Sequence, residues 1–190
     1  MLDCVLDCVL DCVIKKAISL IDDKYYSIRT AGSEIEIFRE RVFCYELYHQ
    51  LRKFQECKNI TCLKEVDINA EIDKRGHSII SEGYNPDFIF HKQGQMSENL
   101  CIMEVKLNLD LGGIKDDLQK IYRFVCDYYY RMGIFLLVNY SSEEFLERIK
   151  DEKNFFDQFL PPQSENILLM FKKNKSSSVE CLKITDIKSE

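Results

Sequence analysis

Residues 84–106 read YNPDFIFHKQGQMSENLCIMEVK. Two apolar, strand-like runs, DFIFH and LCIMEVK, are separated by the turn-rich KQGQMSEN, the signature of a hairpin. Pro86 suits the first position of a strand. Three charges interrupt this core-forming pattern. Asp87 heads the first run, and Glu104 and Lys106 close the second. Glu104 and Lys106 are two residues apart, so on a strand they share one face. Asp87 starts the strand expected to pair with theirs.

Outward from this stretch, VDINAEID (66–73) alternates polar and apolar residues and is followed by the turn KRGH. It adds a first strand to a three-stranded antiparallel meander. Upstream, Ser33 and Glu36 have capping-box spacing and predict a helix over 34–56. Glu40, Phe43, Cys44, Leu47, Leu51 and Phe54 fall on one face of it, with Glu36 one turn earlier on the same line. Glu46 belongs to another face, beside Val42, His49 and Lys53. Downstream, Ile114, Leu118, Ile121, Tyr122, Val125 and Tyr129 repeat at helical spacing up to about Met132. GIFLLVNY (133–140) lacks alternation, as a strand buried on both faces does. A helix from Ser141 to about 153 follows, then Pro161-Pro162, then ILLMFKK and VECLKIT as a closing hairpin. The first residues repeat LDCV three times, which makes an amphipathic helix. An aspartate–cysteine metal ladder is the sharper reading of that repeat; docking of the apolar stripe is the favoured one. The expected organisation is one domain over 1–190: an N-terminal helix over 1–23, a core over 34–140, and a helix and hairpin over 141–190.

Composition narrows the function. The 190 residues are 46% hydrophobic, enough for one real core, and the net charge of −6 carries no broad basic bias. Nucleic acid would have to be met by a local patch, or through metal ions that neutralise the chain's own acids. No apolar run reaches the roughly eighteen residues of a membrane span, and the acidic start is no signal peptide. Nine cysteines, an odd number without a CxxC pair, read as reduced thiols packed as small hydrophobes in a cytoplasmic protein. His49, His77 and His91 are scattered, which disfavours a structural zinc. There is no dinucleotide glycine fingerprint, and GGIK lacks phosphate-loop spacing.

The three charges define a chemistry. Carboxylates on adjacent strands repel one another unless a cation lies between them. Carboxylate oxygens suit Mg²⁺ or Mn²⁺, which keep waters that a phosphate oxygen can displace. A lysine beside such an ion can orient a water or stabilise charge building on phosphorus. The alternative is an edge-strand salt bridge between Glu104 and Lys106, with Asp87 as a strand-end acid.

Pro86-Asp87, a gap of sixteen residues between the acids, and Glu104-Val105-Lys106 resemble the PD-(D/E)xK, or restriction-endonuclease-like, nuclease superfamily. The match extends over about residues 34–140. The resemblance implies an α/β fold with an αβββαβ core, its mixed central sheet flanked by helices, plus the N-terminal helix and C-terminal hairpin. It implies that Asp87, Glu104 and the Val105 carbonyl hold Mg²⁺ or Mn²⁺, and that Lys106 assists the attacking water. Glu40 is the choice for a supporting first-helix carboxylate, with Glu36 and Glu46 as substitutes and Glu71 as a further metal-side acid. The second core helix has Gln119 followed by Arg123, where some members have Gln-xxx-Tyr. Gln119, Lys120 and Arg123 are expected to face the scissile phosphate or track the backbone. The implied activity is hydrolysis of nucleic acid, DNA in the first place, and a homodimer would suit double-strand cleavage. A non-catalytic module of the same fold, binding nucleic acid or protein, is the second expectation.

Overall fold

The computed structural model describes residues 2–29, 31–32, 35–56, 63–70, 84–152 and 154–187. Among the described residues, five α-helices and eight strands follow in chain order: α1 (Leu2–Ser19), β1 (Ile28–Arg29), β2 (Glu36–Ile37), α2 (Glu40–Glu56), β3 (Asp67–Ala70), β4 (Phe88–Lys92), β5 (Gln95–Lys106), α3 (Leu111–Asp127), β6 (Met132–Val138), α4 (Ser142–Ile149), β7 (Ile167–Lys172), β8 (Glu180–Lys183) and α5 (Ile184–Ile187). Strands β3 to β8 form one mixed six-stranded sheet in sequential order. The first three are an antiparallel meander, β5, β6 and β7 are parallel, and β8 returns antiparallel. Connection length explains the switch. A tight turn at Gln93-Gly94, with Gly94 at φ +76, suffices between β4 and β5. A parallel neighbour needs a crossover, and α3 supplies it between β5 and β6.

Alternation on the strands builds two hydrophobic layers. Phe88, Phe90, Cys101, Met103, Val105, Ile134 and Leu136 face α1 and α2, meeting Leu10, Ile14, Ile18, Phe43, Leu47 and Leu51. Ile89, Ile102, Phe135, Leu137 and Leu169 face the other way, onto Ile114, Leu118, Ile121 and Phe124 of α3 and Phe145 of α4. All seven residues of β6 are buried, as its unbroken apolar run predicts. Each large side chain so buried contributes about 1.5–3 kcal/mol of transfer free energy. The second half of α1 docks on the first layer, while Cys8 and Cys12 are exposed. No helix among the described residues is long and apolar enough to cross a membrane.

Several boundaries differ from those read off the sequence. Helix α2 begins at Glu40, not 34: Ile28 pairs Ile37 and Arg29 pairs Glu36 in a small hairpin ahead of it. Isoleucines at 35 and 37 favour extended backbone, and Glu36 accepts a hydrogen bond from Ser27 Oγ at 2.9 Å instead of capping a helix. Ser33 lies outside the described residues. Helix α3 stops at Asp127, before Tyr128–Tyr130. Asn99 on β5 donates to the Tyr128 carbonyl at 2.7 Å, and Tyr129 turns left-handed at φ 58. The closing hairpin is no appendage: β7 is parallel to β6, so it extends the central sheet.

Candidate active site

The sheet register assembles the charges. Phe88 pairs with Met103, so one step on, Asp87 stands opposite Glu104. Ile89 and Ile102 face α3, and by alternation so do Asp87, Glu104 and Lys106. Asp87 is fixed by the backbone, accepting from the Val105 N–H at 2.8 Å through Oδ2. Glu104 is 2% exposed, at the end of an apolar strand.

Helix α3 completes the cluster. Asp110 caps it, accepting from the Gly113 N–H at 3.3 Å, and its second turn is carried over the end of β5. Asp117 is 7% exposed and lies between two lysines: Lys106 Nζ is 2.9 Å from its Oδ2, and Lys120 donates to its Oδ1 at 3.1 Å. Lys120 Nζ is also 2.9 Å from Glu104 Oε1, and Lys106 Nζ is 3.7 Å from Glu40 Oε1. Neither Glu104 Oε1 nor Asp117 Oδ2 receives an aligned hydrogen bond, so both are paired in charge but open to a further partner. Four carboxylates thus gather around two ammonium groups.

Their proton affinities record the crowding. Burial, then the charge of Asp87, holds Glu104 well above the usual carboxylate range. Burial also raises Asp87, against the lowering effect of the Val105 N–H, and raises Glu40 against the pull of Lys106. For Lys106 burial acts downward, but Asp117, Glu40 and Asp87 outweigh it and the net shift is up. Lys120 is raised in the same way, by Glu104 and Asp117.

The chain matches no family model, no curated protein and no solved structure.

Of the residues singled out in the sequence, Asp87, Glu104, Lys106 and Glu40 come together in this cluster. Lys120 joins them, its Nζ sitting on Glu104 and Asp117. Gln119 is exposed on α3, and Arg123 donates to the Tyr84 hydroxyl and lies over that ring. Glu36 belongs to the small hairpin, and Glu46 accepts from Gln50 on its own helix at 2.5 Å. His91 contacts Asn69 at 2.8 Å, four residues and roughly 13 Å of strand from Asp87. Glu71 and His77 lie outside the described residues. Asp117 is the member that sequence reading missed. Its signal was present: it occupies the i+3 position of the buried stripe Ile114, Leu118, Ile121, where an acid needs a partner.

An open groove of about 660 Å³ leads to the cluster, with Glu40 and Asp87 in its wall and Phe38, Arg39, Arg41, Tyr45 and Asn85 around them. Among the described residues, no three His, Cys, Asp or Glu side chains are close enough to hold a metal ion by themselves. Two carboxylates with a main-chain carbonyl and waters form a different donor set, and one that Mg²⁺ accepts.

Proposed function

We propose that this chain is a metal-dependent nuclease with a restriction-endonuclease-like core formed by α2, β3, β4, β5, α3 and β6. The observation that carries the reading is the pair Asp87 and Glu104. They stand opposite each other where adjacent strands begin and end, Glu104 buried and Asp87 half-buried, in a group whose carboxylates outnumber its ammonium groups by two. Burying that imbalance is costly unless protons or a divalent cation offset it. The residues fit a hard cation. All donors are oxygens, and Glu104 Oε1 has no aligned hydrogen-bond donor.

Asp87, Glu104 and the Val105 carbonyl would hold Mg²⁺ or Mn²⁺. In a strand the N–H and C=O of one residue project to the same side, so the Val105 carbonyl shares the side on which its N–H meets Asp87. A bound ion supplies charge stabilisation at phosphorus and a more acidic water. Lys106, held by Asp117 at 2.9 Å, positions the attacking water and opposes charge building on the phosphoryl oxygens. Asp117 anchors both lysines and is a positioning residue. Glu40 approaches from α2, its Oε1 3.7 Å from Lys106 Nζ, and would support the site as a nearby carboxylate.

One observation favours an inert module of the same fold instead: Lys120 already neutralises Glu104. Digestion of plasmid, single-stranded DNA and RNA with Mg²⁺ or Mn²⁺ separates the two. The nuclease reading predicts metal-dependent cleavage that Asp87→Ala and Lys106→Ala both abolish. Equal cleavage by all three proteins, or none by wild type on any substrate, would discard it.

A further inference from the structure

We infer that the groove beside the acid cluster binds single-stranded nucleic acid, holding bases on Phe38 and Tyr45 and phosphates on Arg39 and Arg41. The inference builds on the nuclease reading and names its substrate class. Phe38 and Tyr45 are 47% and 57% exposed, although large aromatics normally sit inside. Both line the same groove, so their exposure is not scattered chance. Arg39 and Arg41 line it too, giving a local basic rim on a chain of net charge −6. Arg41 and Tyr45 are four residues apart on α2 and therefore neighbours on one face of the helix.

Rings interleaved with guanidinium groups are the equipment of a single-strand track. Every base has a π-face to stack on a ring, and each phosphate meets a cation. A duplex keeps its base faces in its own stack and offers these rings nothing. The groove is open and shares Glu40 and Asp87 with the cluster, so a strand lying in it passes the carboxylates. A protein partner is the competing occupant. Rings and arginines serve protein interfaces too, so the oligonucleotide test below separates the two occupants.

The test is fluorescence anisotropy in EDTA, so that nothing is cut, with labelled single-stranded DNA, single-stranded RNA of the same sequence, and the blunt duplex. The expected result is at least tenfold tighter binding of a single strand than of the duplex. The DNA and RNA arms decide which polymer it is. Phe38→Ala with Tyr45→Ala should weaken single-strand binding by on the order of tenfold per ring and leave duplex binding unchanged. Arg39→Ala with Arg41→Ala should weaken all three and flatten the salt dependence by roughly 0.7 per lost phosphate contact. Duplex binding as tight as single-strand binding, or loss of both rings without effect, overturns the inference. So does the absence of any oligonucleotide binding at low salt, which would give the groove to a protein. Cleavage is scored separately. Ring-dependent binding without cleavage removes the nuclease and keeps the groove, whereas cleavage indifferent to the rings does the reverse.

Discussion

In the absence of divalent cations, Glu104→Gln should make the protein more stable. Glu104 is 2% exposed, and burial followed by the charge of Asp87 raises its pKa well above the usual value. Each unit by which an acid's folded pKa exceeds its unfolded pKa makes the ionised folded form about 1.4 kcal/mol less favourable. The sign follows from linkage: the folded state holds the proton longer, so stability is greatest below the unfolded pKa and falls as pH rises through the folded one. Lys106 and Lys120 are also raised, but their contribution is complete below their ordinary value and is lost only at higher, strongly alkaline pH. They add no slope near neutrality. Glutamine keeps the shape of the side chain and removes its charge. What it forfeits is the attraction of Lys120 at 2.9 Å, and Lys120 keeps Asp117 at 3.1 Å. The balance is a gain near pH 8, on the scale of the roughly 1–3 kcal/mol that a buried acceptor without an aligned donor costs, and it shrinks as pH falls into the ordinary carboxylate range. Urea denaturation in EDTA at both pH values reads it directly. Excess Mn²⁺ should reverse the order, because a ligand of the native state stabilises wild type and finds no site in the variant. A Glu104→Gln protein less stable than wild type near pH 8 in EDTA would sink this reasoning. Glu104 would then be a structural partner of Lys120 and no ligand.

Three further outcomes follow from the same geometry. Lys120→Met leaves Glu104 and Asp117 short of a half-buried cation and should cost about 3 kcal/mol near pH 8, less at lower pH as Glu104 takes a proton; combining it with Glu104→Gln should recover much of the loss in a double-mutant cycle. Gly133→Ala would put a methyl 2.3 Å from Ile121 Cγ2 and 3.4 Å from Val125 and Ile167, where α3 packs on β6. The overpacking should cost about 1–3 kcal/mol of stability, read as a lower urea midpoint with an unchanged slope. Gln119→Ala and Glu46→Ala, both outside the cluster, should cleave any substrate of the wild type at the wild-type rate.

The meander and the βαβ crossover were legible because their signals are local. Alternation, a glycine turn and an unbroken apolar run each fix one element. Asp87, Glu104 and Lys106 were legible because strand parity and a hairpin leave few ways to pair them. Helix edges were harder to read. At Glu36, propensity for a cap competes with extended isoleucines, and pairing with Ile28–Arg29, distant in sequence, decides it. At Tyr128–Tyr130, helical periodicity continues past the real end, and the Asn99 side chain from another strand breaks it. Asp117, and the seat of Lys120 on Glu104, required knowing which turn of α3 crosses the end of β5. That depends on the length of the 107–110 connection and on the Asp110 cap, which no single-helix pattern expresses.

The proposed divalent-cation site is formed by Asp87, at the entry to β4, and Glu104, near the end of β5. Titration calorimetry of Mn²⁺ into the wild-type chain near pH 7, repeated in buffers of different ionisation enthalpy, tests it most directly. Asp87, Glu104 and Glu40 all hold protons more tightly than ordinary carboxylates. Binding should therefore be accompanied by proton release, tighten as pH rises, and disappear in Asp87→Ala and Glu104→Gln. No binding heat with the wild type in any buffer, or binding unchanged in both variants, would contradict the account.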